Sequence, residues 1–159
     1  MPKLIHHSFK VEYPFLSQRL ITKSEVICTS AFNRKSIEVN ALWDTGAMIS
    51  AITPVVAQQL NLVSVDRIKV NGVNNVSWAD LVKISVKLPN LISVNEIFVA
   101  VCNLVKDVDL LIGMDIIVAS DLCISNGAGK TLFTFAMPPF EDKIDLYEKA
   151  LAVNKLHSS

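Results

Sequence analysis

Ala41-Leu42-Trp43-Asp44-Thr45-Gly46-Ala47 is the stretch that decides how this 159-residue chain is understood. An acid follows directly on an apolar run, and Thr45 and Gly46 then turn the chain sharply. A carboxylate on a loop fixed by a rigid apolar strand sits in a partly dry place, where a charge is disfavoured unless something uses it. The same tripeptide also suits an Asx-turn, in which the Asp side chain bonds its own backbone. On three residues alone both readings stand.

Working outward, Glu25–Thr29 and Ser36–Trp43 are rich in β-branched and apolar residues, and Asn33-Arg34-Lys35 between them reads as the turn of a hairpin. Met48–Ile52 reads as a short strand. Thr53 can cap a helix, and Pro54 suits its first position, where a missing N–H costs nothing. That helix runs through Leu60 and ends at Asn61. Val63–Val70 and Val76–Leu88 flank the turn-rich Asn71–Asn75, which predicts a second hairpin with a mobile tip. After the break at Pro89-Asn90, strands are expected at Glu96–Leu104, Leu110–Ile112, Leu122–Ser125 and Thr131–Ala136, with a short helix over Gly113–Ser120. Residues 1–22 mix polar and apolar groups and read as an arm or an edge strand. Beyond Pro138-Pro139, Glu141–Leu156 carries acids early, lysines late, and Ile144, Tyr147 and Leu151 on one face, the marks of a terminal amphipathic helix. The expected architecture is mainly β, a closed barrel or sandwich of about eight to ten short strands with two or three short helices.

A second segment, Asp109-Leu110-Leu111-Ile112-Gly113-Met114-Asp115, reads as a buried strand ending in glycine before a helix. With it, the sequence resembles the retropepsin-like aspartic proteases, the single-domain class that includes retroviral proteases and their cellular and bacterial relatives. The matching pieces are Leu42–Ala47 followed by Ser50-Ala51-Ile52, the hairpin around Gly72, and Leu111–Asp115, in the same order and at similar spacing over most of residues 25–125.

The resemblance implies a closed β-barrel acid-protease fold over residues 23–137, with 1–22 as an N-terminal arm and 138–159 as a C-terminal helical extension. It also implies roles. Asp44 corresponds to the catalytic aspartate. Thr45 corresponds to the residue whose hydroxyl bonds across a dimer axis, Gly46 to the glycine of the tight turn, and Ala47 to a position held by Ala or Ser. Asn71, Gly72, Val73, Asn74, Asn75 and Val76 fall in the flap that closes over substrate. Ile112 and Gly113 match the motif packed behind the catalytic loop, and Asp115 matches a structural Asp or Asn. Met48 departs from the acid that many viral members carry after this loop, and Asn74-Asn75 replace a more glycine-rich flap tip.

The chemistry of that family needs two carboxylates about 3 Å apart that share one proton, because two such close charges cannot both ionise. The chain has a single Asp-Thr-Gly. The second Asp44 is therefore expected from another copy, by two-fold symmetry. The expected activity is that of an aspartic endopeptidase acting on an extended peptide or protein substrate as a homodimer. Leu132-Phe133-Thr134-Phe135 is the candidate dimer contact, with an ordinary core strand as the alternative. The competing functions are a catalytically silent dimerisation or peptide-binding module on the same fold, and a piece excised from a larger polyprotein.

Composition excludes other classes. Lys+Arg and Asp+Glu balance at 15 each, without the basic excess of a nucleic-acid binder. Cys28, Cys102 and Cys123 are widely spaced and odd in number, so buried free thiols are expected rather than a disulfide framework. His6, His7 and His157 have no ligand spacing, and neither a metal site nor a cofactor is expected. No run approaches the ~18 consecutive apolar residues of a membrane span. The N-terminus lacks the apolar core of a secretory signal, so a cytoplasmic setting is expected. Asn126–Thr131 imitates a phosphate loop but lacks its full spacing and precedes a strand, which makes a hairpin turn the better reading. Trp78 belongs on the flap stem, touching substrate or simply packing.

Overall fold

The alternation of apolar and polar residues that marks a half-buried strand recurs throughout the chain. In a computed structural model, which describes residues 4–32, 34–71 and 76–157, ten strands follow in order: β1 (His7–Tyr13), β2 (Ile21–Cys28), β3 (Ser36–Trp43), β4 (Ala51–Ile52), β5 (Asp66–Asn71), β6 (Val76–Lys87), β7 (Ser93–Val101), β8 (Leu110–Ile112), β9 (Asp121–Ser125) and β10 (Thr131–Met137). Three helices interrupt them: α1 (Pro54–Gln59), α2 (Met114–Ile117) and α3 (Leu146–His157). The expected tip residues Gly72, Val73, Asn74 and Asn75, and the turn residue Asn33, lie outside the described residues.

Six strands close on themselves. They run β2-β3-β8-β4-β7-β6, and β6 returns to β2 where Ile84–Lys87 pairs antiparallel with Glu25–Cys28. Closure leaves these strands without a free edge. It also explains the alternation: Val39, Ala41 and Trp43 of β3 point inward, as do Val82, Ile84 and Val86 of β6, all at most 6% exposed. The expected barrel with short helices is thus the observed fold.

β6 is longer than the barrel needs. Its first half, Val76–Leu81, pairs with β5 to form a hairpin, of which Val76–Ala79 lie past the last β7 partner of the strand. The remaining strands form a separate antiparallel sheet in the order β1-β10-β9. This sheet packs on the barrel through an aromatic cluster. Phe9, Phe133 and Phe135 surround Trp43, with ring centroids 6.0, 5.2 and 4.9 Å from its own. Each such buried ring contributes on the order of 1.5–3 kcal/mol through removal from water.

Several expectations change in detail. The strand expected over Met48–Ile52 shrinks to Ala51–Ile52, because the residues before it fold back to brace the Asp44 loop. β5 begins at Asp66, leaving Val63 and Val65 exposed. β7 starts at Ser93 and stops at Val101. Leu132–Phe135 is not a surface strand awaiting a second copy. It is the middle of its sheet, with β1 on one side and β9 on the other, and Phe133 and Phe135 lie in the core. The terminal helix forms, but later than expected, and Leu146–Leu156 are all exposed. No helix among the described residues is long and apolar enough to cross a membrane.

Candidate active site

Trp43 is the last residue of β3 and is nearly buried. Its ring is packed by the phenylalanine cluster, and its Nε1–H donates to Thr22 Oγ1 at 3.0 Å. The next residue therefore leaves a fully anchored position. Asp44 donates its backbone N–H to the Ile112 carbonyl at 2.9 Å, tying the loop to the end of the parallel neighbour β8. The Asp44 side chain is half-buried. Its Oδ1 accepts the Gly46 N–H at 2.8 Å, the Asx-turn geometry anticipated for Asp-Thr-Gly. Its Oδ2 has no partner among the described residues, and Asp44 joins none of the ion pairs found there. The two readings of the tripeptide are thus not exclusive: the turn is what presents the carboxylate.

The loop is braced from behind. Gly113 follows β8, and a Cβ there would lie 2.9 Å from both the Ala47 carbonyl oxygen and the Ile49 carbonyl carbon. Only glycine allows the two backbones so close, and the approach lets Met114 N–H donate to the Ala47 carbonyl at 2.8 Å. Ser50, completely buried, stitches the same junction. Its Oγ accepts from Gly113 N–H at 3.0 Å and donates to Asp115 Oδ1 at 2.7 Å, while its N–H donates to Asp115 Oδ2 at 2.8 Å. Asp115 also accepts from its own neighbour, Ile116 N–H, at 3.0 Å. Ser50 entered the sequence reading only as part of a matching piece, with no role given to it. Its partners lie 63 and 65 positions away, and no local pattern announces them.

Thr45 and Gly46 are exposed at the tip of the loop, and Thr45 has no hydrogen-bond partner among the described residues. Beside the loop rises an apolar wall. Ala51, Ala79 and Ala100 are buried, with Ile68, Val70 and Leu111 packed against them between the hairpin and the loop. Cys102 belongs to this wall, and burial pushes its thiol up, favouring the neutral form. The expected flap residues Asn71 and Val76 are the last and first paired residues of the β5–β6 hairpin. Trp78 stands on the same hairpin, 61% exposed and opposite Lys69.

No His, Cys, Asp and Glu cluster suited to a metal occurs among the described residues. Two surface hollows, about 690 Å³ beside Phe32 and Lys83 and about 510 Å³ beside Lys87 and Asn90, include no residue of the Asp44 loop. A carboxylate with an oxygen left open, presented on a braced loop, is equipped for proton transfer to a bound polar group.

The family model described as aspartyl protease matches residues 31–116, which include Asp44, the hairpin and Gly113. The chain belongs to the aspartyl protease family. Among solved structures, this aspartyl protease is similar to a retropepsin-like aspartic protease from Rickettsia conorii, at 17% identity over 86% of this chain and 98% of that one, with a TM-score of 0.53. Weaker likenesses are to the protease of simian foamy virus (mac), 14% identical over 60% of this chain and 89% of that one (TM-score 0.43), and to EIAV protease complexed with the inhibitor HBY-793, 20% identical over 64% and 86% (TM-score 0.40). No curated protein matches the chain. The fold of this aspartyl protease is retropepsin-like.

Proposed function

We propose that this aspartyl protease is an endopeptidase that works as a homodimer, with one Asp44 from each copy flanking a shared water. The observation that carries the reading is the state of the carboxylates near the loop. Asp115 spends both oxygens on Ser50, and Asp109 accepts the Asn40 N–H at 3.0 Å. Asp44 keeps its Oδ2 without a partner among the described residues, on a loop pinned through Oδ1 to the Gly46 N–H and through its own N–H to the Ile112 carbonyl. A second copy related by two-fold symmetry supplies the missing group, since its Asp44 is in the same state.

In that dimer the ionised Asp44 takes a proton from the water, which attacks the peptide carbonyl carbon. The protonated Asp44 donates its proton to the carbonyl oxygen. Gly46 N–H, fixed on Oδ1, holds each carboxyl in orientation through the exchange. The exposed Thr45 hydroxyl is free to bond across the axis. The hairpin ending at Asn71 and Val76, with Gly72–Asn75 between them, would cover an extended peptide whose apolar side chains rest on Ile68, Val70 and Leu111.

The test is cleavage of an unfolded polypeptide by purified protein, compared with the Asp44→Asn variant between acid and neutral pH. The variant is expected to lose at least about a thousandfold in rate, the scale for removing a group the chemistry cannot do without. Equal cleavage by both proteins, or none by either, would favour a silent peptide-binding module.

A further inference from the structure

What a buried hydrogen bond adds to a core is direction. Exchanging both of its partners for apolar groups of the same shape can leave stability nearly unchanged, so its contribution lies in the orientation it selects. One such bond is made by the residue just before Asp44. Trp43 Nε1–H donates to Thr22 Oγ1 at 3.0 Å, with Trp43 6% and Thr22 3% exposed. Thr22 pairs with Ala41, so it stands one diagonal step from Trp43 on the inward face of the β2–β3 ladder.

The indole needs that direction. Its ring turns about two torsions, and the second is broad and two-fold, so a flat apolar slot accepts the ring in more than one attitude. Phe9, Phe133 and Phe135 form such a slot, with ring centroids 6.0, 5.2 and 4.9 Å from that of Trp43. The N–H has to meet one oxygen, and this singles out one attitude. The main chain of Trp43 is bound to the same strand, its N–H donating to the Leu20 carbonyl at 3.0 Å. Trp43 is therefore tied to β2 twice, by backbone at Leu20 and by side chain at Thr22. Two ties to one strand block rotation of the residue about the axis of β3. The next N–H goes the other way, to the Ile112 carbonyl at 2.9 Å, and Asp44 leaves the strand in one orientation.

We propose that Thr22 is a positioning residue for Asp44, acting through the Trp43 indole. This rests on the peptidase reading of Asp44 and adds to it a requirement outside the loop. Thr22 is sealed in the core, so it touches no substrate, and it is not part of the wall formed by Ile68, Val70 and Leu111. Loss of its hydroxyl frees the indole to turn in the slot. The carboxylate then wanders from the geometry that proton transfer needs, while the surfaces that hold substrate stay as they are. The cost falls on kcat and not on KM. A misplacement of about 1 Å costs roughly a hundredfold in rate, and this smaller wandering about tenfold.

The experiment measures kcat and KM of the full chain on fluorescein-labelled casein, an unfolded polypeptide. Active sites are counted by titration with a transition-state-mimicking aspartic-protease inhibitor, so that misfolded copies do not enter the rate. Thr22→Val keeps both branches of the threonine and removes the acceptor; kcat is expected to fall about tenfold, with KM within about twofold of native. Thr22→Ser keeps the hydroxyl and loses a methyl; it is expected to rescue kcat to within about twofold of native. Packing alone predicts the reverse order, because valine fills the site and serine does not. Trp43→Phe removes the donor instead, is expected to lower kcat at least as far as Thr22→Val, and decides the matter should that variant not fold. Native kcat per titrated site in Thr22→Val or Trp43→Phe, a loss confined to KM, or a loss that Thr22→Ser shares overturns the positioning role and leaves the peptidase standing. A native protein no more active than Asp44→Asn overturns both.

Discussion

The floor of the site and its roof are built by opposite rules. The floor, the Asp44 loop with β8 and Ser50 behind it, is buried backbone in close contact, and nearly every polar group there has a named partner. The proposed roof, the β5–β6 hairpin, is held by its own ladder and by Ile68, Val70 and Ala79 on the apolar wall, while Asp66, Arg67, Lys69, Val76, Ser77, Trp78 and Asp80 are all exposed. The contrast teaches that this chain spends its packing on fixing one carboxylate and leaves the covering element adaptable. Rigid placement of a reacting group and loose coverage of a variable substrate are compatible only when they reside in different elements.

That contrast can be broken most severely at Gly113. Gly113→Ala forces a methyl to within 2.9 Å of backbone atoms that cannot rotate away. A loss of about 2–3 kcal/mol in denaturant unfolding is expected, together with loss of peptidase activity as the loop shifts. A variant as stable as the native protein would show that the floor is softer than its contacts imply.

Next comes Asp115→Ala, which removes the acceptor of both Ser50 bonds while Ser50 stays buried. About 1–2 kcal/mol of stability should go, less than for Gly113 because Asp115 itself is exposed. Asp115→Asn, which keeps one acceptor oxygen, should recover part of it in the same unfolding experiment.

Ala47→Ser sharpens the comparison on the chemical side. A hydroxyl able to donate to the carboxylate favours its charged form and lowers its pKa. Both limbs of the pH–rate profile should then move toward acid by under about one unit, the scale of a single weak hydrogen bond. An unmoved acidic limb would mean that the serine hydroxyl does not reach the pair.

The smallest effect on stability belongs to the roof. Trp78→Ala should change unfolding free energy by no more than about 0.5 kcal/mol, as for other exposed positions. Its effect should fall on KM for peptide substrates. A large loss of stability would place the ring in the core instead.

The sequence revealed the floor's chemistry better than its bracing. Asp44, the strand before it and Gly113 are legible because apolar periodicity and the turn residues are local signals. Helix α1 was legible for the same reason: Thr53 accepts the Val56 N–H as its cap, with Pro54 next. Ser50 was not, because its role depends on β8 arriving from far along the chain. β1 was legible only as one of two alternatives, an arm or an edge strand, and it is the edge strand of its sheet. Phe9, Val11 and Tyr13 alternate with Lys10 and Glu12, but a short run within a polar terminus resembles an arm until its partner β10 is known. The part played by Leu132–Phe135 stayed open between dimer contact and core strand, because a middle strand and an interface strand show the same apolar alternation. Only pairing on both sides distinguishes them.

The length of β6 has a mechanical meaning. One uninterrupted strand is hairpin at Val76–Leu81 and barrel stave at Ile84–Lys87, so the hairpin hangs from the barrel as a cantilever rather than swinging on a loop. Its bending is governed at the root, where Asp80 and Leu81 take up their pairing with Val101 and Ala100 of β7. Stiffness at that joint sets how far and how fast the overhang deflects.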